Sequence, residues 1–470
     1  MFSVRRWGAT RLAAAVLASG LAAVGAIAVA GPAAADDTVP ASGGANAVLD
    51  GLRTFGQAVI HNDGGDQKVG AGLFQMTVEG GGTLQTYCID VHNPTQANAK
   101  YQEKPWSQTS LHDNADAGKI RWILQNSYPQ VNDLSKLAAA AKSGALTEKT
   151  AAAGTQVAIW RFSDRVDVEA VDPAAEKLAD WLEASARDLE EPRASLTLDP
   201  PAVSGKSGDR LGPVTVHTDA ASVAVSLDPA AEATGVKVVG RDGAPATAAA
   251  NGTELFFDVP KGAADGSTSL TAQATTKVPV GRAFASDSKS QTQILAGSSD
   301  STVKATATAD WAKKGAIPAV SAEKNCAKGG VDVTAANQGD EPFTFELAGT
   351  EYTVEAGRSR TVTVPVKEDQ AYDFTITGPN GFEKNFSGVL DCKTAGTPST
   401  DRPSPEPSPA SAGGSSEGST GGSGTSGEDL AETGSSSATP VIAGIAVALV
   451  AVGGGAVFLL RRRKAGTAGE

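Results

Sequence analysis

Residues near 46–192 combine strand-like and helix-like hydrophobic patterns. Apolar side chains dominate residues 71–78 and 83–91, which predicts two strands. The glycine run at 80–82 lies between them and predicts a turn. Beyond these strands the spacing of apolar residues becomes helical. The region as a whole is therefore predicted to be mixed α/β (α+β).

Two helices are predicted in the second half of this region. Thr147 is a suitable N-cap for a helix that continues to Phe162. Asp172 followed by Pro173 is typical of the start of another helix. One face of the first helix carries residues at i, i+3, i+4 and i+7 spacing, namely Gln156, Ile159, Trp160 and Ser163.

Alternating apolar residues indicate β structure over residues 193–316 and 317–393. The clearest alternation is that of Val223, Val225, Leu227, Val362, Val364 and Val366. We expect two β-sandwich domains of the immunoglobulin-like type after the α+β domain. The chain is therefore predicted to be multidomain, as its length of 470 residues also suggests.

The two ends of the chain predict export. In residues 1–35, the arginines Arg5, Arg6 and Arg11 precede an Ala/Val/Leu-rich run, and residues 33–35 supply a small-residue cleavage site. This order is that of a secretory signal peptide. A first transmembrane anchor is the alternative.

The three cysteines should have unequal roles in an exported chain. Cys326 and Cys392 bracket the last β domain, and outside the cell we expect them to form a disulfide. Cys88 is then left over, and it must either stay unpaired or take part in chemistry.

The C-terminal end has three consecutive parts. The pentapeptide LAETG at 430–434 comes first, residues 441–460 are uncharged and long enough to cross a bilayer as a transmembrane helix, and residues 461–470 form a basic cytoplasmic tail. This arrangement resembles a cell-wall sorting signal, with LAXTG in place of the commoner LPXTG. The resemblance implies that a class E sortase cuts between Thr433 and Gly434 and joins Thr433 to peptidoglycan. The membrane would then hold the chain only before sorting. A plain single-pass membrane protein is the alternative.

Residues 394–429, upstream of the sorting motif, are rich in Ser, Gly and Pro. Such a composition cannot bury a hydrophobic core, so we expect a disordered, extended linker. A stalk that spans the cell wall would suit this arrangement.

The exported part of the chain is strongly acidic. The net charge of −13 includes +3 from residues 1–35 and +3 from residues 434–470, so residues 36–433 carry −19. We expect no nucleic-acid partner, because phosphate binding relies on clusters of Lys and Arg. No HxH, HExxH or CxxC spacing occurs, so neither a metal nor another cofactor is expected.

Two short runs carry the candidate chemistry. Residues 86–90 read TYCID and residues 155–160 read TQVAIW. They resemble the cysteine and glutamine motifs of bacterial thioester domains, and with the sorting signal they resemble the cell-wall-anchored thioester surface proteins of Gram-positive actinobacteria. The resemblance covers about 145 residues and implies an internal thioester between Cys88 and Gln156. It also implies an adhesin that attaches covalently to amine-bearing targets, whose identity the sequence leaves open.

Four neighbouring residues are candidates for supporting this site. Tyr87 and Trp160 are expected to shield the bond from water. Asp90 is expected either to orient Tyr87 or the local backbone, or to be a solvated strand residue. Thr155 is expected either to hydrogen-bond near the reacting carbonyl or to serve in helix packing.

Two other functions remain open. Cys88 could be the nucleophile of a hydrolase or transglutaminase, with His61, His92 or His112 as its base. The chain could also be a non-covalent adhesin or structural stalk protein in which Cys88 is incidental. The resemblance favours the covalent adhesin, and we expect the protein not to be an enzyme.

Overall fold

The computed structural model describes residues 41–232 and 234–393 of the chain. The predicted signal peptide, linker, sorting motif, transmembrane helix and basic tail lie outside the described residues, as do Thr433 and Gly434. Among the described residues, no helix is both long enough and apolar enough to cross a membrane.

Strands dominate the described residues, and most of the helices lie in the first part of the chain. The elements up to residue 185 are β1 (Ala41–Gly44), β2 (Asn46–Ile60), β3 (Gln67–Val78), β4 (Thr83–Cys88), β5 (Lys100–Lys104), α1 (Ala117–Asn126), α2 (Leu134–Ala141), α3 (Glu148–Ser163), β6 (Val168–Ala170) and α4 (Pro173–Ser185). The next elements are β7 (Leu196–Asp199), β8 (Ala202–Lys206), β9 (Arg210–Thr218), β10 (Val223–Leu227), α5 (Pro229–Glu232), β11 (Lys237–Gly240), β12 (Ala248–Ala249), β13 (Glu254–Asp258), β14 (Gly266–Lys277), β15 (Ala283–Ser286), β16 (Gln293–Ser298) and β17 (Asp300–Ala312). The last are β18 (Pro318–Asn325), β19 (Gly330–Asn337), β20 (Phe343–Leu347), β21 (Thr350–Val354), β22 (Arg358–Pro365), β23 (Ala371–Thr377) and β24 (Glu383–Val389).

The first sheet closes into an antiparallel barrel. Its hydrogen-bonded order is β2, β3, β4, β16, β15 and β5, and β5 pairs with β2 again. Strand β6 pairs with the last residues of β2. The turn between β3 and β4 contains Gly80, Gly81 and Gly82, all with positive φ, so the turn predicted there is confirmed.

Helix α3 begins where the sequence predicts. The Thr147 side chain accepts a hydrogen bond from the Thr150 N–H, and in return the Thr147 N–H donates to the Thr150 hydroxyl at 2.9 Å, which completes a capping box. Helix α4 begins in a similar way, because the Asp172 side chain accepts from the first free backbone N–H groups. Both predicted N-caps are confirmed.

Helix α3 is buried along most of its length, from Ala151 to Trp160. A helix that is covered on all sides must allow close approach of its neighbours. At Gly154, an added Cβ atom would lie 2.4 Å from the carbonyl oxygen of Ala175 in α4. The absence of a side chain at Gly154 therefore sets how closely α3 and α4 pack.

Strands β15 and β16 belong to the barrel although they follow β14 in the chain. Strand β15 pairs with β5, and in β16 Gln293 lies opposite Cys88 of β4. The boundaries predicted from the sequence assign these strands to the domain at 193–316, whereas the structure places them in the first sheet. Strands β15 and β16 pair with each other and form an inserted hairpin. Without this hairpin, one edge of β4 and one edge of β5 would be left unpaired.

The exchange of strands is reciprocal. Strand β1 precedes the barrel in the chain but pairs with β17 in the second part of the molecule. There, one sheet has the order β1-β17-β14-β10-β12, with β8 parallel to β17, and a second sheet has the order β11-β13-β9-β7. The buried residues of both sheets belong to one hydrophobic cluster that continues into the barrel.

The last part of the chain forms a separate β domain. Sheets β18-β19-β22, β20-β21 and β23-β24 share a hydrophobic cluster of their own around Val333, Phe343 and Ile376. The predicted disulfide between Cys326 and Cys392 is confirmed, with Cα atoms 5.3 Å apart. The chain is thus multidomain and mostly β, while the immunoglobulin-like type stays a prediction.

Candidate functional site

Cys88 lies at the end of β4, inside the molecule. Its side chain has no exposed surface, and on the opposite strand it faces Gln293 of the inserted hairpin. The next residue, Ile89, donates its N–H to the carbonyl oxygen of Thr292 at 3.1 Å. Two segments far apart in the sequence therefore hold the cysteine in position.

The Gln156 carboxamide lies against the backbone of Cys88, 68 residues away in the chain. The Cys88 N–H donates to Oε1 of Gln156 at 3.0 Å, and Nε2 of Gln156 donates to the Cys88 carbonyl oxygen at 2.8 Å. Gln156 has no exposed surface. A buried carboxamide needs such partners, and the pair fixes which way its oxygen and nitrogen point.

The sulfur of Cys88 accepts a hydrogen bond from the Asp90 N–H at 3.2 Å. Burial raises the pKa of the Cys88 thiol well above its usual range, and the carboxyl groups of Asp164 and Asp90 raise it further. The indole of Trp160 and the Asp90 N–H act in the opposite direction. The thiol therefore stays neutral unless a nearby group takes its proton.

Tyr87 and Trp160, the two predicted shielding residues, are both buried. The Tyr87 hydroxyl donates to the carbonyl oxygen of Tyr128 at 2.8 Å, and burial raises the pKa of this phenol. The indole nitrogen of Trp160 is buried and has no well-formed hydrogen bond among the described residues, although it is close enough to the sulfur to favour the thiolate. That these two side chains shield the bond from water stays a prediction.

Asp90 is buried, with 1% of its surface exposed. The expectation of a solvated strand residue is therefore wrong, because the chain bends after Cys88 and turns Asp90 inward. Burial and the neighbouring Asp164 carboxyl group raise the pKa of Asp90 to about 7.

Thr155 is buried and faces the helix backbone. Its hydroxyl donates to the carbonyl oxygen of Ala151 at 2.8 Å, one turn earlier in α3. The same side chain lowers the pKa of the Tyr87 phenol. Of the two roles expected for Thr155, helix packing agrees with the hydrogen bond that it makes.

Sequence reasoning missed two residues beside the site. Asp164 accepts hydrogen bonds from the Val91 N–H at 3.0 Å and from the Ser163 hydroxyl at 2.6 Å, and burial raises its pKa to about 6. Asp164 follows Ser163, the last residue of the helical face that carries Gln156, and this position in the sequence could have revealed it. Gln293 has no comparable signal, because only strand pairing brings it to Cys88.

The three histidines of the hydrolase alternative make other contacts. His61 bonds to Asp66 at 2.8 Å, and His112 bonds to the carbonyl oxygen of Thr109 at 3.0 Å. Burial lowers the pKa of His92. Among the described residues, the side chains that shift the pKa of Cys88 are two carboxyl groups and an indole.

Within the part of the chain that the structure describes, one group of carboxylates is spaced closely enough to hold a metal ion. The ligand atoms of Glu368, Asp369 and Asp391 lie within 4.8 Å of one another, in the last β domain. Glu368 already accepts hydrogen bonds from the N–H groups of Cys392 and Lys393. Burial raises the pKa of Asp391 to about 7, and the nearby carboxyl groups, among them Glu368 and Asp369, raise it further.

Comparison with known families identifies two segments. Residues 85–188 match the family model of the thioester domain, and residues 318–389 match that of the bacterial phospholipase C C-terminal domain. The thioester-domain match includes Cys88 and Gln156. No curated protein matches the chain.

Solved structures give weaker likenesses. The Bacillus anthracis TIE protein is 15% identical over 74% of this chain and 81% of its own, with a TM-score of 0.26. The thioester domain of the Enterococcus faecium TIE86 protein is 15% identical over 59% of this chain and 100% of its own, with a TM-score of 0.27.

Proposed function

We propose that Cys88 and Gln156 form an internal thioester, and that the protein is a surface adhesin which uses it to bind amine-bearing targets covalently. The observation that carries this proposal is the reciprocal pair of hydrogen bonds between the Gln156 carboxamide and the Cys88 backbone. The thioester-domain match over residues 85–188 supports it independently.

The geometry suits attack of the sulfur on the Gln156 carboxamide carbon. The Cys88 N–H already donates to Oε1, where negative charge develops in the tetrahedral intermediate. The Cys88 carbonyl oxygen holds the nitrogen that must leave. The thiol loses its proton, a carbon–sulfur bond forms, the carbon–nitrogen bond breaks, and the nitrogen leaves as ammonia after gaining that proton.

Capture of a target reverses the roles of sulfur and nitrogen. An amine, such as a lysine side chain, attacks the thioester carbonyl, and Cys88 leaves as the thiolate. The proton lost by the amine restores the thiol, and Gln156 becomes joined to the target through an amide. Because Cys88 and Gln156 are buried, we infer that the amine must enter past the surrounding side chains before it reacts.

Display at the cell surface completes the proposal. Proteins with thioester domains are typically extracellular, and the predicted signal peptide and sorting signal agree with that location. Sortase would join Thr433 to peptidoglycan, and the linker at 394–429 would carry the described domains outward. The partner at the distal end is a surface that bears amines.

Intact mass spectrometry of the purified chain tests the thioester. We expect the wild-type chain to be lighter than its sequence by one ammonia, in addition to the hydrogens lost at the disulfide. Cys88→Ala and Gln156→Ala should each abolish the ammonia deficit, and methylamine should abolish it in the wild type while freeing one thiol. Gln85 is an exposed glutamine on the same strand as Cys88, so Gln85→Ala is the matched control and should keep the deficit. A wild-type chain of full mass with a freely alkylated Cys88 would contradict the proposal and leave a non-covalent adhesin.

A further inference from the structure

The side chain of Asp90 is a buried carboxyl group that the steps above do not use. Its backbone N–H donates to the Cys88 sulfur at 3.2 Å, so the residue sits directly beside the reacting atom. In addition, the Asp90 carboxyl group raises the pKa of the Cys88 thiol. Asp90 is therefore a candidate proton acceptor for this thiol, held beside it by its backbone N–H.

Only one of the two Asp90 carboxyl oxygens has a partner. Oδ2 accepts a hydrogen bond from the Asn93 side chain at 2.6 Å, whereas Oδ1 is buried and has no hydrogen-bond partner among the described residues. Asp164, the other carboxyl group near the sulfur, is different, because both of its oxygens accept hydrogen bonds. A buried oxygen without a hydrogen-bond partner lowers the stability of the fold, so its presence calls for an explanation such as a chemical role.

From this arrangement we infer that Asp90 carries the proton in both reactions of the thioester site. During formation, the Asp90 carboxylate takes the proton of the Cys88 thiol and delivers it to the departing nitrogen of Gln156. During capture, it takes a proton from the attacking amine and returns it to the Cys88 thiolate. Asp90 ends each reaction in the state in which it began, and no oxidant or other reactant is needed. This inference rests on the proposed thioester.

The groups around Asp90 favour proton exchange near neutral pH. Its pKa is raised to about 7, first by burial and then by Asp164 at the end of α3 and Asp369 in the last β domain. Asp391, in the same domain, interacts with Asp90, and so does Tyr101 of β5. Cys88 is a further titratable neighbour of Asp90. A carboxyl group with such a pKa can both accept and release a proton at physiological pH.

A carboxyl group of the last β domain contributes to the raised pKa of Asp90. Asp369 is exposed and lies more than 270 residues from Asp90 in the chain, yet it contributes to the raised pKa of Asp90. Removal of the Asp369 charge should therefore lower the pH at which Asp90 becomes a base, without a change in the buried site itself.

The test measures how fast methylamine opens the thioester of the full chain between about pH 5 and pH 9. Opening replaces the ammonia deficit with the gain of one CH2 on Gln156, and each rate is divided by the concentration of unprotonated methylamine. We expect the wild-type rate to rise with an inflection near pH 7, where Asp90 loses its proton. Asp90→Asn should keep the shape of the side chain, lose the inflection and react roughly 100-fold more slowly. Asp369→Asn should keep the inflection but move it to lower pH, and Asp113→Asn, an exposed aspartate elsewhere, should match the wild type.

The outcomes separate this inference from the proposed function. A wild-type chain without an ammonia deficit overturns the thioester itself. An Asp90→Asn chain that carries the deficit and reacts at the wild-type rate, with the same inflection, overturns the role of Asp90 alone. Should Asp90→Asn fail to fold, Asp369→Asn decides, because an unmoved inflection would show that Asp90 is not the titrating group.

Discussion

Arg282 and Glu103 form a buried ion pair at the point where the inserted hairpin meets the barrel. The Arg282 Nε atom donates to Oε1 of Glu103 at 2.9 Å, and only 4% and 1% of the two side chains are exposed. Glu103 also accepts from the N–H groups of Ala45 and Ser195. One carboxylate thus joins β5, the hairpin, the N-terminal strands and the segment that leaves α4.

The first prediction concerns this ion pair. Glu103→Ala leaves the Arg282 Nε–H and two buried backbone N–H groups without their acceptor, while Arg282 keeps its pair with Glu191. We therefore expect a loss of about 3 kcal/mol in the free energy of unfolding. Denaturant unfolding of both chains measures the difference.

The control is Glu254→Ala, which breaks the pair between Glu254 and Arg241. The Arg241 side chain is 77% exposed, so solvent screens this pair and its loss should cost less than about 1 kcal/mol. Equal losses of unfolding free energy for Glu103→Ala and Glu254→Ala would show that burial of the Arg282 pair does not add to its contribution to stability.

The second prediction concerns the packing of α3. Gly154→Ala places a methyl group 2.4 Å from the Ala175 carbonyl oxygen, so one of the two helices must shift. We expect a loss of roughly 1–3 kcal/mol in stability and slower reaction with methylamine, because Gln156 moves with α3.

Gly144→Ala is the matched control for this change. At Gly144 the nearest atom to an added Cβ is 3.7 Å away, an ordinary contact, so stability should stay close to that of the wild type. A Gly154→Ala chain as stable as Gly144→Ala would mean that α3 and α4 do not pack as closely as described.

The third prediction concerns Asp310 in β17. Burial raises the pKa of Asp310 to about 7, and its Oδ2 atom has no hydrogen-bond partner among the described residues. Because the folded chain holds this proton more tightly than the unfolded chain, stability should fall as the pH rises from about 4 to about 7, by roughly 1.4 kcal/mol for each unit.

Asp310→Asn removes this titration. We therefore expect the variant to gain stability relative to the wild type between pH 5 and pH 8, as thermal unfolding at several pH values would reveal. A stability difference that is the same at every pH would contradict a buried, protonated Asp310.

The fourth prediction concerns the disulfide. Cys326 and Cys392 are 66 residues apart, and on the chain-entropy model their bond stabilises the last β domain by about 4 kcal/mol. A chain with both cysteines changed to alanine should lose about that much stability, with the loss confined to this domain in hydrogen exchange. Cys88→Ala, which leaves the disulfide intact, should not show this loss.

Local signals in the chain were enough for several features. The N-caps Thr147 and Asp172 follow from the chemistry of helix ends, and the glycine turn at 80–82 follows from backbone sterics. The pairing of Cys326 with Cys392 follows from their positions at the two ends of the last β domain in a chain predicted to be exported. Each of these depends on residues close together in the chain or on where a residue type occurs along it.

Long-range contacts decided the rest. The insertion of β15 and β16, the pairing of Gln293 with Cys88 and the burial of Asp90 arise only when distant segments meet. Whether a carboxyl group is solvated or buried depends on what covers it, and the sequence around Asp90 does not contain that cover. The amino-acid sequence thus predicted the pairing of Cys88 with Gln156 and the helix that carries Gln156. The tertiary structure alone determined that both side chains, and Asp90 beside them, lie buried, because burial is a property of the whole fold.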